Sequence, residues 1–230
     1  MTKILCIETA TDICSVAVSI DGVLASLVES NDQNSHSEKL TVFIEEALAK
    51  AGVPLTELSA VAVSMGPGSY TGLRIGVSTA KGFCFGLNIP LIAISTLQSI
   101  AWGAKKFMPK NTEVIIPMID ARRMEVYNAH YSSEILPINE VKATVIDDEY
   151  ITQFDTSLNT LLCGNGAFKC VESMGGLPNI TIVNSHCSAE NMTVLAQQKF
   201  DCEEFESVPY FEPFYLKDYI AAQSYVKGLR

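Results

Sequence analysis

Two acidic residues stand where a chain could hold a metal-bound nucleotide. Glu8 follows the apolar residues 4–7 and Asp120 follows the apolar residues 114–119, so each carboxylate is predicted to end a buried strand. Hard cations such as Mg²⁺ take carboxylate oxygens as ligands, and a Gly-Asn-Gly turn could line an adenosine site beside them. The candidate nucleotide site comprises Glu8, Thr9, Asp120, Gly164 and Gly166.

A glycine-rich loop, GPGSYTG at residues 66–72, is the most specific local feature. Glycines between a strand and a helix let backbone amides approach an anion. The loop does not match the P-loop, since no Gly-Lys-Ser/Thr follows, and it does not match the dinucleotide pattern G-x-G-x-x-G. We therefore interpret it as a tight backbone loop that packs against a neighbour. Its glycines, with the next one along the helix, are Gly66, Gly68, Gly72 and Gly76.

The helix predicted after this loop has a stripe of small residues. Gly72, Gly76 and Ala80 recur every four residues, which would let another helix approach closely, and an apolar row lies beside them. That neighbour is either the predicted helix at residues 36–51 or a helix of another chain, and spacing does not decide between them. The predicted partner interface comprises Leu40, Ile44, Tyr70, Leu73, Arg74, Val77, Ala80, Lys81 and Cys84.

Other catalytic patterns are missing from the sequence. The three histidines lack metal-ligand spacing, the seven cysteines form no C-x-x-C pair, and there is no G-x-S-x-G elbow. An actin-like ATPase would normally present an Asp followed by glycine in its first turn, whereas this chain has Glu8 followed by Thr9. We therefore predict no catalytic residue and no metal site, and we leave nucleotide binding open.

The charge balance argues against tight binding of nucleic acid by this chain alone. Lys and Arg number 16 and Asp and Glu number 26, which gives a formal net charge of −10. The basic residues that lie close to one another in the sequence are Lys105, Lys106 and Lys110, and the pair Arg122 and Arg123. No apolar run approaches the roughly 18 residues of a membrane span, so we expect a cytoplasmic protein with reduced thiols.

The predicted elements follow an α/β order. Three antiparallel strands over residues 4–29 precede helix, strand, helix and strand up to residue 95, which is typical of the ribonuclease-H-like fold. Residues 114–131 repeat the opening plan of strand, acid, turn and strand, although any two such units can look alike. We predict a duplicated fold with a first lobe at residues 1–108 and a smaller, degenerate lobe at 109–230. The last helix could pack back on the first lobe.

Four motifs in order resemble the bacterial TsaB (YeaZ) family. They are ILCIETAT at residues 4–11, SHSEKL at 35–40, GPGSYTGLRIG at 66–76 and IDARRMEVY at 119–127. The similarity spans roughly the first 130 residues, and Leu216-Lys217 resembles the family's closing Tyr-Leu-Arg pattern. The resemblance implies a two-lobed fold of the actin/Hsp70 (ASKHA) type.

The resemblance also implies a function in tRNA modification. The family takes part in attaching a threonylcarbamoyl group to N6 of adenosine 37 in tRNAs that read codons beginning with A. Its members are non-catalytic activators of a catalytic paralogue, TsaD, and they dimerise with themselves or with TsaD through their first two helices. A small ATPase, TsaE, joins the complex. We expect tRNA contact only through that complex, no membrane, and no cofactor except ATP or ADP at the partner interface.

The resemblance places the paralogue's metal ligands at two positions of this chain, Thr96 and Ile100. Because isoleucine cannot coordinate a metal, the chain is interpreted as a pseudoenzyme. Two alternatives stay open at this point. One is a metalloprotease, since the superfamily carried a glycoprotease label, and the other is a free-standing ATPase or sugar kinase of the ASKHA class.

Overall fold

The computed structural model describes residues 1–31, 36–174 and 176–217, and it contains two mixed β-sheets. Ser35, the first residue of the SHSEKL motif, and any helix after residue 217 lie outside the described residues. The first sheet has the order β3-β2-β1-β4-β5, with β1 paired antiparallel to β2 and parallel to β4. Its strands are β1 (Lys3–Glu8), β2 (Cys14–Ile20), β3 (Val23–Ser30), β4 (Ala60–Gly66) and β5 (Leu91–Ser95).

Local sequence explains this sheet. The Asp21-Gly22 pair joins β2 to β3 with backbone φ angles of 50° and 77°, the left-handed conformation of a tight hairpin. The central strand β1 is buried on both faces, and its apolar side chains alternate between two core clusters. Leu5 and Ile7 face one cluster, and Ile4 and Cys6 face the other.

Two helices cover the outer face of the first sheet. They are α1 (His36–Ala51) and α2 (Tyr70–Leu87), with the bounds predicted from the apolar periodicity. The hydroxyl of Ser69 caps α2 by accepting from the amide of Gly72, and Asn88 ends the helix in the left-handed conformation. Both helices pack onto Leu5, Ile7 and the alternate residues of β4.

The second sheet repeats the first. Its order is β11-β10-β6-β7-β9, so a central strand again has an antiparallel neighbour on one side and a parallel neighbour on the other. The predicted duplication is confirmed, and Glu8 and Asp120 end the two central strands. The strands are β6 (Val114–Asp120), β7 (Glu125–Asn128), β8 (Tyr131–Ser132, paired with β6), β9 (Lys142–Val145), β10 (Thr160–Cys163) and β11 (Ile180–Val183).

Four further helices complete the described chain: α3 (Thr96–Ala104), α4 (Asp148–Gln153), α5 (Val171–Met174) and α6 (Thr193–Asp201). Leu97 and Ile100 of α3 pack with Ile115 of the second sheet, although α3 directly follows β5 of the first. The domain boundary predicted at residues 108 and 109 stays a prediction. The α3 helix lies before that boundary in the chain but packs on the second sheet. Leu195 and Ala196 of α6 pack back on the first sheet.

The C-terminal strap, residues 206–217, contains no helix and crosses the first lobe. The amide of Glu206 donates to the carbonyl of Leu91 at 2.8 Å, and the amide of Phe214 donates to the carbonyl of Met65 at 2.7 Å. Between them Phe211 is buried in the core under α1 and α2. Within the described residues, no helix combines the length and the apolar character needed to cross a membrane.

Candidate functional site

A cleft of about 700 Å³ lies between the turns that follow the two central strands. The first lobe contributes the turn after β1 and the start of α2, and the second lobe contributes the turn after β6. The end of the C-terminal strap lies across the same cleft. The lining residues are Ala10, Thr11, Asp12, Gly68, Ser69, Tyr70, Thr71, Ile119, Asp120, Ala121, Arg122, Arg123, Tyr127, Asn165, Tyr215, Leu216 and Lys217.

Glu8 and Thr9 do not line this cleft, and their assignment to a nucleotide site is corrected. Both side chains are fully buried. Glu8 continues the strand face of Ile4 and Cys6 and therefore points into the protein. The hydroxyl of Thr9 donates to the carbonyl of Gly72 at 2.8 Å, which ties the turn after β1 to α2.

The carboxyl group of Glu8 is only partly satisfied. Its Oε1 accepts from the amide of Ala10 at 2.7 Å, while its Oε2 is buried with no hydrogen-bond partner among the described residues. Burial raises the pKa of Glu8 from 4.5 to about 7, and the hydrogen bond from Ala10, together with polar contacts to the hydroxyl of Ser64 and the amide of Thr9, opposes that rise. Close to neutral pH, Glu8 is therefore a mixture of carboxylic acid and carboxylate inside the first lobe.

Asp120 is the predicted acidic residue that does face the cleft. Its Oδ1 accepts from the amide of Arg122 at 2.6 Å and from the ammonium of Lys169 at 2.7 Å. Lys169 also donates to the carbonyl of Glu125 at 2.7 Å and is largely buried, so it neutralises Asp120 at a fixed position. A cation entering the cleft would have to compete with Lys169 for this carboxylate.

The glycines predicted for an adenosine site serve backbone packing. Gly164 has φ +96°, and a Cβ there would lie 2.3 Å from the carbonyl oxygen of Met118. A Cβ at Gly166 would lie 2.9 Å from the carbonyl carbon of Ile119. Both are absent from the cleft lining, whereas Asn165 between them lines it and accepts from the amide of Asp120 at 2.9 Å. Asn165 cannot be recognised from the sequence, because a lone Asn in a turn carries no catalytic pattern.

The glycine-rich loop is held against two segments. A Cβ at Gly66, where φ is +111°, would lie 2.6 Å from the carbonyl oxygen of Phe214 in the C-terminal strap. A Cβ at Gly68 would lie 2.3 Å from the carbonyl oxygen of Ala10. The loop therefore serves close backbone approach to the strap and to the turn after β1.

The small-residue stripe of α2 packs against that same turn, which corrects the prediction of a helical neighbour. A Cβ at Gly72 would lie 2.1 Å from the carbonyl oxygen of Thr9, and one at Gly76 would lie 2.2 Å from its Oγ1. Ala80, further along the stripe, is fully buried in the first-lobe core. Small residues are needed there because α2 lies directly on β1 and its turn.

Most of the predicted partner interface is buried within this chain, and this assignment is also corrected. The side chains between 0% and 3% exposed are Leu40, Ile44, Leu73, Val77, Ala80 and Cys84. An apolar helical period identifies the face that packs on the core, and in both helices that face covers the first sheet. Of the other three residues, Arg74 is exposed, Tyr70 is half-buried, and the ammonium of Lys81 donates to the carbonyl of Phe211 at 2.9 Å.

The opposite face of α2 is open, and we call it the α2 outer face: Arg74, Ser78, Gly82, Phe85 and Gly86. The ring of Phe85 is 84% exposed. Beyond the backbone of its own helix and its two neighbours in the chain, a Cβ at Gly82 or Gly86 would meet no heavy atom of the described residues within 4 Å. Ser78, Gly82 and Gly86 repeat every four residues, so this second stripe of small residues is visible in the sequence.

A groove lies at the N-terminal end of the α2 outer face. Its lining residues are Ser37, Tyr70, Thr71, Arg74, Ile75, Ser78 and Thr79. Ser37 comes from α1 and the others from α2, so the groove separates the two helices. Tyr70 and Thr71 also line the interlobe cleft, which places the two depressions on either side of the first turn of α2.

Thr96 and Ile100, which the family resemblance places at metal-ligand positions of the paralogue, are both buried. The Oγ1 of Thr96 lies 2.6 Å from the Oγ of Ser64, and Ile100 is packed in the core of the second sheet. In the described part of the chain, no three His, Cys, Asp or Glu side chains are close enough to hold a metal ion.

The basic residues form two separate groups. Lys105, Lys106 and Lys110 precede β6, whereas Arg122 and Arg123 follow it. A seven-residue strand separates the groups by roughly 20 Å, at about 3.3 Å per residue. The two groups therefore stand at opposite ends of β6.

Comparison with known proteins agrees with this architecture. The family model described as TsaD, tRNA N6-adenosine threonylcarbamoyltransferase, matches residues 22–169. A crystal structure of a Pseudomonas aeruginosa protein described as similar to peptidase YeaZ is 27% identical, with a TM-score of 0.81 over 94% of this chain and 100% of that chain. The activator of 2-hydroxyisocaproyl-CoA dehydratase from Clostridium difficile shares only the fold, at 11% identity and a TM-score of 0.53 over 88% of this chain and 96% of that one.

One relative covers nearly the whole chain. The Escherichia coli (strain K12) tRNA threonylcarbamoyladenosine biosynthesis protein TsaB is 30% identical over 226 residues, which are 95% of this chain and 96% of the relative. With the duplicated ASKHA-type fold and the four ordered motifs, this similarity shows that the chain belongs to the TsaB (YeaZ) family.

Proposed function

We propose that this chain is a non-catalytic subunit of the system that makes threonylcarbamoyladenosine in tRNA, acting as activator of a TsaD-like transferase. The observation that carries the proposal is the near full-length similarity to Escherichia coli TsaB. A protein that works on tRNA through a complex would act in the cytoplasm. The split basic groups support a role in which the partners make most of the RNA contact.

The chemistry of the site supports a non-catalytic role. Glu8 is buried under its own turn, Asp120 is neutralised by Lys169, and Ile100 stands where the paralogue has a metal ligand. None of the three is arranged to activate a nucleophile or to hold a substrate. ATP or ADP, if the assembly uses it, would bind where this chain meets its partner.

The α2 outer face and its groove are the surface that we assign to the partner. Exposed glycines let a partner helix approach the backbone closely, and the exposed Phe85 can anchor it. The same surface serves a second copy of the chain or the TsaD-like paralogue, so these two partners compete. A TsaE-like ATPase and tRNA then join the complex.

Reconstitution tests the proposal. Threonylcarbamoyl transfer to tRNA is measured with the transferase and ATPase of the same organism, with and without this chain. We expect transfer to require the chain and the chain alone to be inactive. Transfer at full rate without the chain would overturn the proposal. Proteolysis or steady ATP turnover by the chain alone would overturn it as well, and would indicate an enzyme.

The surface assignment has its own test. Ser78→Arg and Phe85→Asp should each weaken binding to the transferase by at least about tenfold, the effect of charging the centre of an interface. Phe168→Asp is the matched control, since Phe168 is also exposed, at 51%, but lies in the second lobe. Equal binding by all four proteins would place the interface elsewhere.

A further inference from the structure

The C-terminal strap makes firm contacts along most of its length and weak ones at its end. Phe211 is buried in the first-lobe core, and the ammonium of Lys81 binds the carbonyls of Pro209 and Phe211 at 3.2 and 2.9 Å. The amide of Phe214 then bonds to Met65 beside the glycine-rich loop. These contacts fix the strap to the first lobe as far as residue 214.

The next residue contacts the first turn of α2. The ring of Tyr215 lies against the ring of Tyr70, with centroids 4.8 Å apart and planes tilted by 38°. On the groove side, the guanidinium of Arg74 lies 5.5 Å from the centroid of the Tyr70 ring and donates to the Tyr70 hydroxyl at 3.3 Å. Tyr70 therefore has the partner groove on one side and the strap on the other.

The strap then reaches the second lobe. The ammonium of Lys217 donates to both carboxylate oxygens of Glu125, at 2.6 and 2.5 Å. Glu125 is the first residue of β7, and its backbone closes the turn after Asp120, because the amide of Ala121 donates to the carbonyl of Glu125 at 3.1 Å. A continuous set of contacts thus runs from Arg74 through Tyr70, the strap and Lys217 to the turn that forms the second-lobe wall of the cleft.

We infer that the end of the strap is a latch that couples the partner groove to the interlobe cleft. Lys217 is half-exposed and the Tyr70–Tyr215 pair is tilted, and contacts of this kind contribute little each, so binding at the groove can shift them. The buried residues upstream keep the strap in place while its end opens or closes. The inference rests on the proposed function for the identity of the groove's occupant, and the latch itself is a property of this chain alone.

Hydrogen exchange of the isolated chain tests the latch without a partner. The readout is the exchange rate of the hydrogen-bonded amides between Asp120 and Glu125. Lys217→Ala should raise that rate by about fivefold, the factor that corresponds to the loss of one surface ion pair. Lys199→Ala is the matched control, because Lys199 pairs with Glu204 away from the cleft, and it should leave the rate unchanged.

A double-mutant cycle tests the coupling. Arg74→Ala, which alters the groove, should raise exchange at the turn of Asp120 in the wild type and have no effect in a Tyr215→Ala background. Ser78→Ala, which alters the groove one turn further from Tyr70, should have no effect in either background. Equal effects of Arg74→Ala in both backgrounds, or no effect of Lys217→Ala, would overturn the inference.

Addition of the transferase separates this inference from the proposed function. Binding to the wild type should change exchange at the turn of Asp120, and Tyr215→Ala should still bind the transferase without that change. Failure of the wild type to bind the transferase would contradict the proposed function. The double-mutant cycle in the isolated chain would still test whether the latch exists. Binding with the same response in both proteins would remove the latch and keep the function.

Discussion

Replacing Glu8 by glutamine should remove a pH dependence of stability that one buried carboxyl group creates. Glutamine has the same shape, and its side-chain oxygen can still accept from the amide of Ala10. What changes is the charge, because glutamine cannot ionise. The variant therefore isolates the cost of a carboxylate in this position.

The magnitude follows from the pKa. Burial raises the pKa of Glu8 from 4.5 to about 7, so the folded protein binds this proton more tightly than the unfolded chain does. Stability is then complete below the unfolded value and falls as pH rises towards the folded value, with a total loss of about 3 kcal/mol at about 1.36 kcal/mol per pH unit. The sign is opposite to that of a salt-bridged carboxylate.

The assay is urea unfolding of both proteins between about pH 5 and about pH 8. The difference in unfolding free energy, Glu8→Gln minus wild type, should grow by about 2.5 kcal/mol over that range, with most of the change below pH 7. Other groups, such as His130 with its pKa lowered by burial, cancel in the difference. Glu45→Gln, at an exposed position of α1, should give a flat difference. A flat difference for Glu8→Gln as well would refute a buried carboxyl group whose pKa is raised in the folded protein.

Three further outcomes follow from the packing. Gly72→Ala should destabilise the protein by about 3 kcal/mol because its methyl group would collide with the carbonyl of Thr9, whereas Gly82→Ala, in open space on the same helix, should stabilise it by about 1 kcal/mol; both are measured by urea unfolding. All seven cysteines lie in the described ranges and Cys202 alone is exposed, so a thiol reagent should label one cysteine in the native protein and seven in denaturant. The isolated chain should bind tRNA weakly and lose that binding as salt is raised, and tight binding at physiological salt would contradict the separation of the two basic groups.

The first lobe was predictable from local signals. The bounds of its five strands and two helices fall within one residue of the apolar patterns and of the Asp-Gly and Gly-Pro punctuation. The α3 helix had no such signal. It lies between the two sheets and is buried nearly all round, so it has no polar face from which a helical period could be recognised.

The period of the apolar residues predicts which face of α2 is buried, but it does not predict which element covers that face. The sequence pattern places Val77 and Cys84 at a partner interface, whereas in the structure they pack on the first sheet of their own chain. The outer face, with Ser78, Gly82 and Phe85, is defined only by what remains uncovered after folding. A surface of this kind depends on the whole chain, because the packing of segments distant in sequence decides which residues stay exposed.

Glu8 and Asp120 occupy equivalent positions in the two repeated units, but their side chains have different environments. The sequence predicts that Glu8 and Asp120 each end the central strand of a repeated unit, because apolar runs followed by polar turns mark strand ends. The roles of the two residues depend on the folded protein. Glu8 points to the strand face that α6 covers, where burial raises its pKa, whereas Asp120 is held at the cleft by Lys169 and the amide of Arg122. Environment sets the charge and reach of a carboxyl group, and residues distant in sequence supply that environment.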